Sequence, residues 1–144
     1  MTNKSHLTDG PISSEFIAAE IDKHNTKTQL GAHALFIGTV RADEVNGKTV
    51  SGIEYSAYDE MISATVQEIK DILFSKYDDL SCMHIYHAKG MVKVGEHSLL
   101  VMVSSGHRKQ AFAASEECVE LIKEKLPVWK KEAYADGSHK WLGH

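Results

Sequence analysis

An α+β fold with a mostly antiparallel sheet is what this sequence predicts, on three observations. Two long segments repeat apolar residues at helical spacing. Short apolar runs of strand length lie before, between and after them. The strands come in pairs joined by tight turns, not in the strict strand–helix alternation of a parallel sheet. The reading is about three helices and about seven strands. The 144 residues suffice for one domain with a real core, with residues 1–10 expected as a flexible leader and 11–144 as a single folded unit.

Each element has its own signal. Residues 12–23 read as a short helix, capped by Ser13 or Ser14, with Phe16, Ile17 and Ile21 as its apolar stripe. Residues 32–40 are small and apolar on both faces and read as a buried strand. The polar stretch 43–48 carries Asn46-Gly47, a hairpin signal, and residues 50–55 return as the next strand. A helix is expected over about 57–76, with Ser56 as cap, Asp59 as its return partner, and Tyr58, Met61, Ile62, Thr65, Ile69, Ile72 and Leu73 on one face. Strands follow near 82–87 and 91–94, joined by a turn at Lys89-Gly90. The continuous run Leu99-Leu100-Val101-Met102-Val103 reads as a central strand. A second long helix is expected over about 109–126, with Ala111, Phe112, Ser115, Val119, Ile122 and Leu126 inward. It must stop at Pro127, whose ring clashes with a helical carbonyl four residues back. Residues 128–133 and 139–142 close the chain as a hairpin around Asp136-Gly137.

Composition excludes several classes. The chain is 42% hydrophobic and 25% charged, as a globular protein is. No apolar run approaches the roughly 18 residues of a membrane helix, so no membrane role is expected. The polar N-terminus lacks a signal peptide's apolar core, and the expected location is cytoplasmic. The net charge of −4 argues against nucleic acid as a general partner. An anion site must then be a local basic patch. Cys82 and Cys118 are expected as buried thiols, since a reducing compartment disfavours disulfides.

The basic patch with most chemical content is Lys123 to Glu132. It sets Lys123, Lys125, Lys130 and Lys131 around Pro127 and Trp129. A run of lysines is ordinarily a solvated face, and lysines near a helix C-terminus favour its dipole. Here the proline places Lys123 on the last helical turn and Lys130 on the departing segment, so both ammonium groups can face one pocket. Trp129 beside Lys130 offers an apolar wall, and desolvation lowers a lysine's pKa into a range useful for proton transfer. Lys125 and Lys131 lack that context. Glu132 is placed to orient Lys130 or to pair with Arg41. At the start of the same helix, Ser104-Ser105-Gly106-His107-Arg108 would combine unpaired amides with a guanidinium, a cradle for phosphate or carboxylate. Arg41, after Gly38-Thr39-Val40 at a strand end, is a weaker signal. Among the nine histidines, His84 and His87 point to opposite faces of a strand, and no grouping has zinc-site spacing, so no metal is expected.

These pieces, in this order, resemble the large subunit of molybdopterin synthase. The resemblance runs from Gly31 to Trp141. It rests on Gly31-Ala32, Phe36 to Arg41, Glu54-Tyr55, Tyr58, Met61, His87, Gly90, Val94-Gly95-Glu96, Val103-Ser104-Ser105, His107-Arg108, Ala111-Phe112, Lys123, Pro127, Trp129 to Glu132, Gly137 and Trp141. It implies an α/β hammerhead fold and a sulfurtransferase. The implied substrate is cyclic pyranopterin monophosphate (precursor Z), which receives two sulfurs to become the dithiolene of molybdopterin. The sulfur donor is a small ubiquitin-like carrier whose C-terminal Gly-Gly ends in a thiocarboxylate. The implied assembly is a homodimer of large subunits within a heterotetramer, with no bound prosthetic group. Carried over by position, Lys123 and Lys130 are the implied catalytic residues. Thr39, Val40, Arg41, His107, Arg108, Lys131 and Glu132 join them as implied substrate contacts. The chain departs from the family pattern at Ala88, where arginine is frequent, and at Gly106, where alanine is usual. It also stops at His144, where relatives often continue to an arginine that Lys140 would have to replace. The rival expectations are a phosphate-ester-binding transferase that needs no protein partner, and a non-catalytic scaffold for a ubiquitin-like protein.

Overall fold

A computed structural model describes residues 5–143. It contains β1 (Leu7–Asp9), α1 (Ser14–Asp22), β2 (Ala32–Thr39), β3 (Glu44–Val45), β4 (Lys48–Ser56), α2 (Asp59–Lys76), β5 (Leu80–Lys93), β6 (His97–Ser105), α3 (Arg108–Lys125), β7 (Trp129–Tyr134) and β8 (His139–Gly143). The sheet runs β2-β6-β5-β4-β7-β8, with β3 paired to β4 and β1 to β5. All pairings are antiparallel except β1 with β5. The expected α+β class with a mostly antiparallel sheet is what forms.

β5 organises the molecule. Two strands with a turn between them were expected, but one strand of 14 residues is present. Its first part, Leu80 to His87, pairs with β6, and its last part, Gly90 to Lys93, pairs with β4. Gly90 adopts φ 97°, a conformation that side-chain-bearing residues avoid, at the changeover between partners. The strand bends there without breaking, and so joins two half-sheets. The leader is also more ordered than expected. Leu7, Thr8 and Asp9 lie in register with His87, Ala88 and Lys89. Met1 to Lys4 lie outside the described residues.

The sheet is sandwiched. On one face α2 and α3 cover the main core, which includes Ile62, Ile69, Leu73, Met83, Ile85, Val101, Val103, Cys118 and Ile122. On the other, α1 covers a smaller cluster of Ile12, Ile17, Tyr86 and Leu100. β6 is apolar on both faces because alternate residues feed the two clusters, Leu99, Val101 and Val103 on one side and Leu100 on the other. β2 was expected to be equally buried. It is instead an edge strand, and Phe36 and Ile37 remain 37% and 40% exposed.

Both long helices are rotated from the expected faces. α2 buries Ile62, Val66, Ile69 and Leu73, whereas Tyr58 and Met61 face outward. Its cap is Tyr58, which makes no side-chain capping bond, so neither Ser56 nor Asp59 serves as expected. α3 buries Ala111, Ala114, Cys118 and Ile122, leaving Phe112 68% exposed. Small residues set the face of α3, since Ala and Cys allow close approach of the helix to the sheet. The end of α3 follows from proline chemistry. Leu126 takes an extended conformation (φ −71°, ψ 121°) while its N–H still donates to Ile122 O. The hairpin at Asn46-Gly47 forms with both residues at positive φ, and α1 is capped by Ser13, whose Oγ accepts from Phe16 N–H at 3.0 Å.

Candidate active site

A cleft of about 490 Å³ opens where the C-terminal end of α3 meets β7, β4 and the end of β2. Three cationic side chains line it: Arg41 after β2, Lys123 on the last turn of α3, and Lys130 on β7. The two lysines thus reach one cavity from two elements, separated by the extended Leu126-Pro127-Val128 segment. Thr39, Val40 and Glu132 line the same cleft.

Strand alternation decides which lysine enters. On β7, Lys130 and Glu132 point into the cleft and Lys131 points away. Lys131 Nζ lies 3.2 Å from Glu54 Oε1 and over the Trp141 ring. Its expected substrate contact is therefore not assembled here. The same alternation turns Trp129 away from Lys130 and toward Tyr58, with ring centroids 6.0 Å apart. The apolar wall around Lys130 is built instead by Ile122, Leu126, Val128 and Tyr55. Burial against that wall, and then the nearby Lys123 charge, push Lys130 below the ordinary lysine range.

The floor holds groups that motif reading did not single out as site residues. Tyr55 is paired with Lys130 across β4 and β7, and its ring meets His87 edge-on at 4.8 Å. Ser98 lies beside them. His87 Nδ1 lies 2.7 Å from Ala88 O, which can only accept, so Nδ1 carries the proton and Nε2 is left with a lone pair. Burial, with Lys130 and Lys123 adding to it, lowers His87 to about 4, against the effect of that carbonyl contact. A neutral imidazole thus stands close to two ammonium groups. The signal that would have found these residues is the β4–β7 register, which no local pattern encodes.

Two expected residues lie elsewhere. His107 and Arg108 begin α3, and Lys123 ends it. At 1.5 Å per residue the helix separates them by about 22 Å. The expected anion cradle at this helix start already holds a carboxylate of the protein itself. Asp79 Oδ2 accepts the His107 N–H at 2.8 Å and lies 3.3 Å from its Nδ1. Gly106 fits this arrangement, because a Cβ there would come within 2.7 Å of Asp79 Oδ1. The surface recess beside it is lined by Asp78, Asp79, His107, Lys109 and Gln110, an acidic setting for an anion. Glu132 also departs from expectation: its Oε1 accepts from Tyr134 Oη at 2.7 Å, while Arg41 pairs with Asp43 at 3.2 Å.

A sequence model of the family described as MoaE protein matches residues 7–125. The molybdopterin synthase catalytic subunit of Dictyostelium discoideum is 41% identical over 116 residues, covering 79% of this chain and 73% of that protein. The corresponding subunit of Bacillus subtilis (strain 168) is 37% identical over 137 residues, covering 95% and 83%. Among solved structures, molybdopterin synthase from Staphylococcus aureus matches with a TM-score of 0.84 and 32% identity, covering 100% of both chains. The complex of subunits 1 and 2 of molybdopterin-converting factor from Helicobacter pylori 26695 shares the fold, with a TM-score of 0.77 and 19% identity over 94% and 88% of the chains. Fold, cleft and relatives define one class, the catalytic subunits of molybdopterin synthase, enzymes of molybdopterin biosynthesis. The chain belongs to the MoaE family.

Proposed function

We propose that this protein transfers sulfur from the C-terminal thiocarboxylate of a small ubiquitin-like carrier to cyclic pyranopterin monophosphate, building the dithiolene of molybdopterin. The observation that carries the reading is the convergence of Lys123 and Lys130 on one cleft from opposite sides of Pro127. Both reactants are anionic, and the cleft offers three cations on a chain whose net charge is −4. Attack by the carrier's sulfur must be followed by departure of oxygen from the substrate, and a departing oxygen needs a proton. Lys130, desolvated and pressed by the Lys123 charge, is suited to give one. Lys123, at the more open side of the cleft, is suited to hold the carrier's terminal carboxyl group. Arg41, with Thr39 and Val40, faces the same space and is suited to the cyclic phosphate.

The partner in this reading is a carrier ending in Gly-Gly, and the assembly is two large subunits with a carrier on each, working in the cytoplasm. The H. pylori complex of two subunits supports a two-component assembly on this fold. His107 and Arg108 can touch the same substrate molecule only from a second copy of the chain, since their own cleft is a helix-length away. No prosthetic group enters the scheme.

The test combines the protein, a thiocarboxylated carrier and precursor, with mass spectrometry of the pterin product. Lys123→Ala should lower sulfur transfer by at least about 100-fold, the scale of a positioned proton donor or charge partner, while circular dichroism stays unchanged. Normal turnover by that variant would overturn the assignment. Conversion of the precursor without any carrier would favour the partner-independent transferase.

A further inference from the structure

We propose that His24, Cys82 and His84 form a binding site for a thiophilic divalent cation of the zinc class, with three protein ligands and one position open to solvent. The site lies on the α1 face of the sheet, separate from the two-lysine cleft. One ligand atom from each residue, an imidazole nitrogen or Cys82 Sγ, lies within 4.8 Å of the other two. Among the described residues this is the one such group.

Strand geometry supplies two of the ligands. Cys82 and His84 are two apart on β5, so both project to the same face. His24 arrives from the turn after α1, 60 residues from His84 in sequence. Its Nε2 lies 3.1 Å from His84 Nε2. Two nitrogens bound to a tetrahedral ion at 2.0–2.1 Å stand about 3.3 Å apart, so these two need only a slight separation to admit one.

His24 is oriented for this role. It is 4% exposed, and its Nδ1 lies 2.7 Å from the Glu20 carbonyl oxygen. A carbonyl only accepts, so Nδ1 carries the proton and Nε2 offers its lone pair toward His84. A histidine bound to metal through one nitrogen almost always donates from the other to a carbonyl or carboxylate in this way. The turn that carries His24 is anchored as well. The Glu20 carboxylate is 2% exposed, accepts from Tyr86 Oη at 2.8 Å and pairs with Lys23 at 2.7 Å. Lys27 Nζ donates to Cys82 Sγ at 3.0 Å, a contact that complements a metal-bound thiolate.

The donor set selects the ion. Two imidazoles and one sulfur suit a borderline-soft cation, whereas Mg2+ and Ca2+ require oxygen ligands. Without metal the His84 Nε2–H donates to His24 Nε2. Binding forms two N–metal bonds and one S–metal bond, moves the His84 proton from Nε2 to Nδ1 and releases the thiol proton to solvent, with no change of oxidation state.

The experiment titrates the purified full chain with Co2+ as a spectroscopic probe, then displaces it with Zn2+, with Mg2+ as control. The expected result is one Co2+ per chain, with thiolate-to-cobalt charge-transfer absorption and the intense visible bands of a tetrahedral site, both removed by Zn2+. Cys82→Ser should abolish the charge-transfer band. The other thiol, Cys118, is fully buried in the opposite core and cannot replace it. His84→Ala should weaken Zn2+ at least about tenfold. At one fixed concentration, Zn2+ should raise the melting temperature of the parent chain more than that of either variant. Circular dichroism of both half-buried-site variants checks that they fold. Absence of saturable Co2+ or Zn2+ binding would overturn the proposal and leave a simple imidazole–imidazole hydrogen bond. Undiminished binding in the folded variants would overturn it equally.

Discussion

Lys130 shows how much of a residue's chemistry comes from its surroundings. Its place after a helix-ending proline is legible in the sequence, and so is the possibility of a lowered pKa. The cause is not. Trp129 is the obvious desolvating neighbour in sequence, yet adjacent strand residues face opposite ways, and the wall is made by Tyr55, Ile122, Leu126 and Val128. The second cause, the Lys123 charge, is testable by itself. Lys123→Met removes a like charge, so the Lys130 ammonium should titrate at higher pH in that variant than in the parent. NMR of the labelled lysine side chain reads the shift directly; an unchanged or lower value would contradict the coupling. Glu132 and Lys131 carry the same lesson. They are neighbours in the chain, and one faces the cleft while the other is occupied by Glu54 and Trp141.

At the scale of elements, the helices were legible in existence and type, and their buried faces were not. Every long segment with a strong period became a helix, and Asp136-Gly137 lies in the expected last hairpin. Asn46-Gly47 also turns a hairpin, but it joins β4 to the short β3 and not to the strand at 32–39, which pairs with β6. The buried stripes were displaced because apolar residues outnumber the positions that the sheet can cover. In α2 the packed face is Ile62, Val66, Ile69 and Leu73, and Met61 is left 45% exposed. Ile69→Ala should therefore cost about 2–5 kcal/mol in urea unfolding, whereas Met61→Ala should stay within about 0.5 kcal/mol. Equal losses would mean that the stripe is the one read from periodicity. The single long β5 was hidden for a different reason. Glycine and lysine mark turns in general, but here Gly90 lets one strand change partners.

For the whole molecule, the buried neutral His87 links the cleft to stability. In the folded chain it stays unprotonated until about 4, whereas an unfolded histidine takes up its proton near 6.5. Between those values the unfolded state binds more protons, so stability should fall as pH drops through this window. Thermal melts from pH 7 to 4 should show that decline, and His87→Gln should make it shallower; an equally steep decline in the variant would assign it to other groups. The N-terminal segment belongs to this scale too. Read as a leader for its polarity, it supplies β1, whose backbone pairs with β5 and whose Leu7 packs against the main core. Local chemistry by itself determined the helix break at Pro127, the hairpin turns, the central apolar strand and the pairing of Lys123 with Lys130, because each depends on bonds and sterics within a few residues. Only the tertiary structure decided that Tyr55 and His87 floor the cleft, that Asp79 fills the helix start where an anion was expected, and that His24 meets Cys82 and His84. Those contacts depend on strand register and on which face of each helix is buried, and both are set by the packing of distant segments against one another.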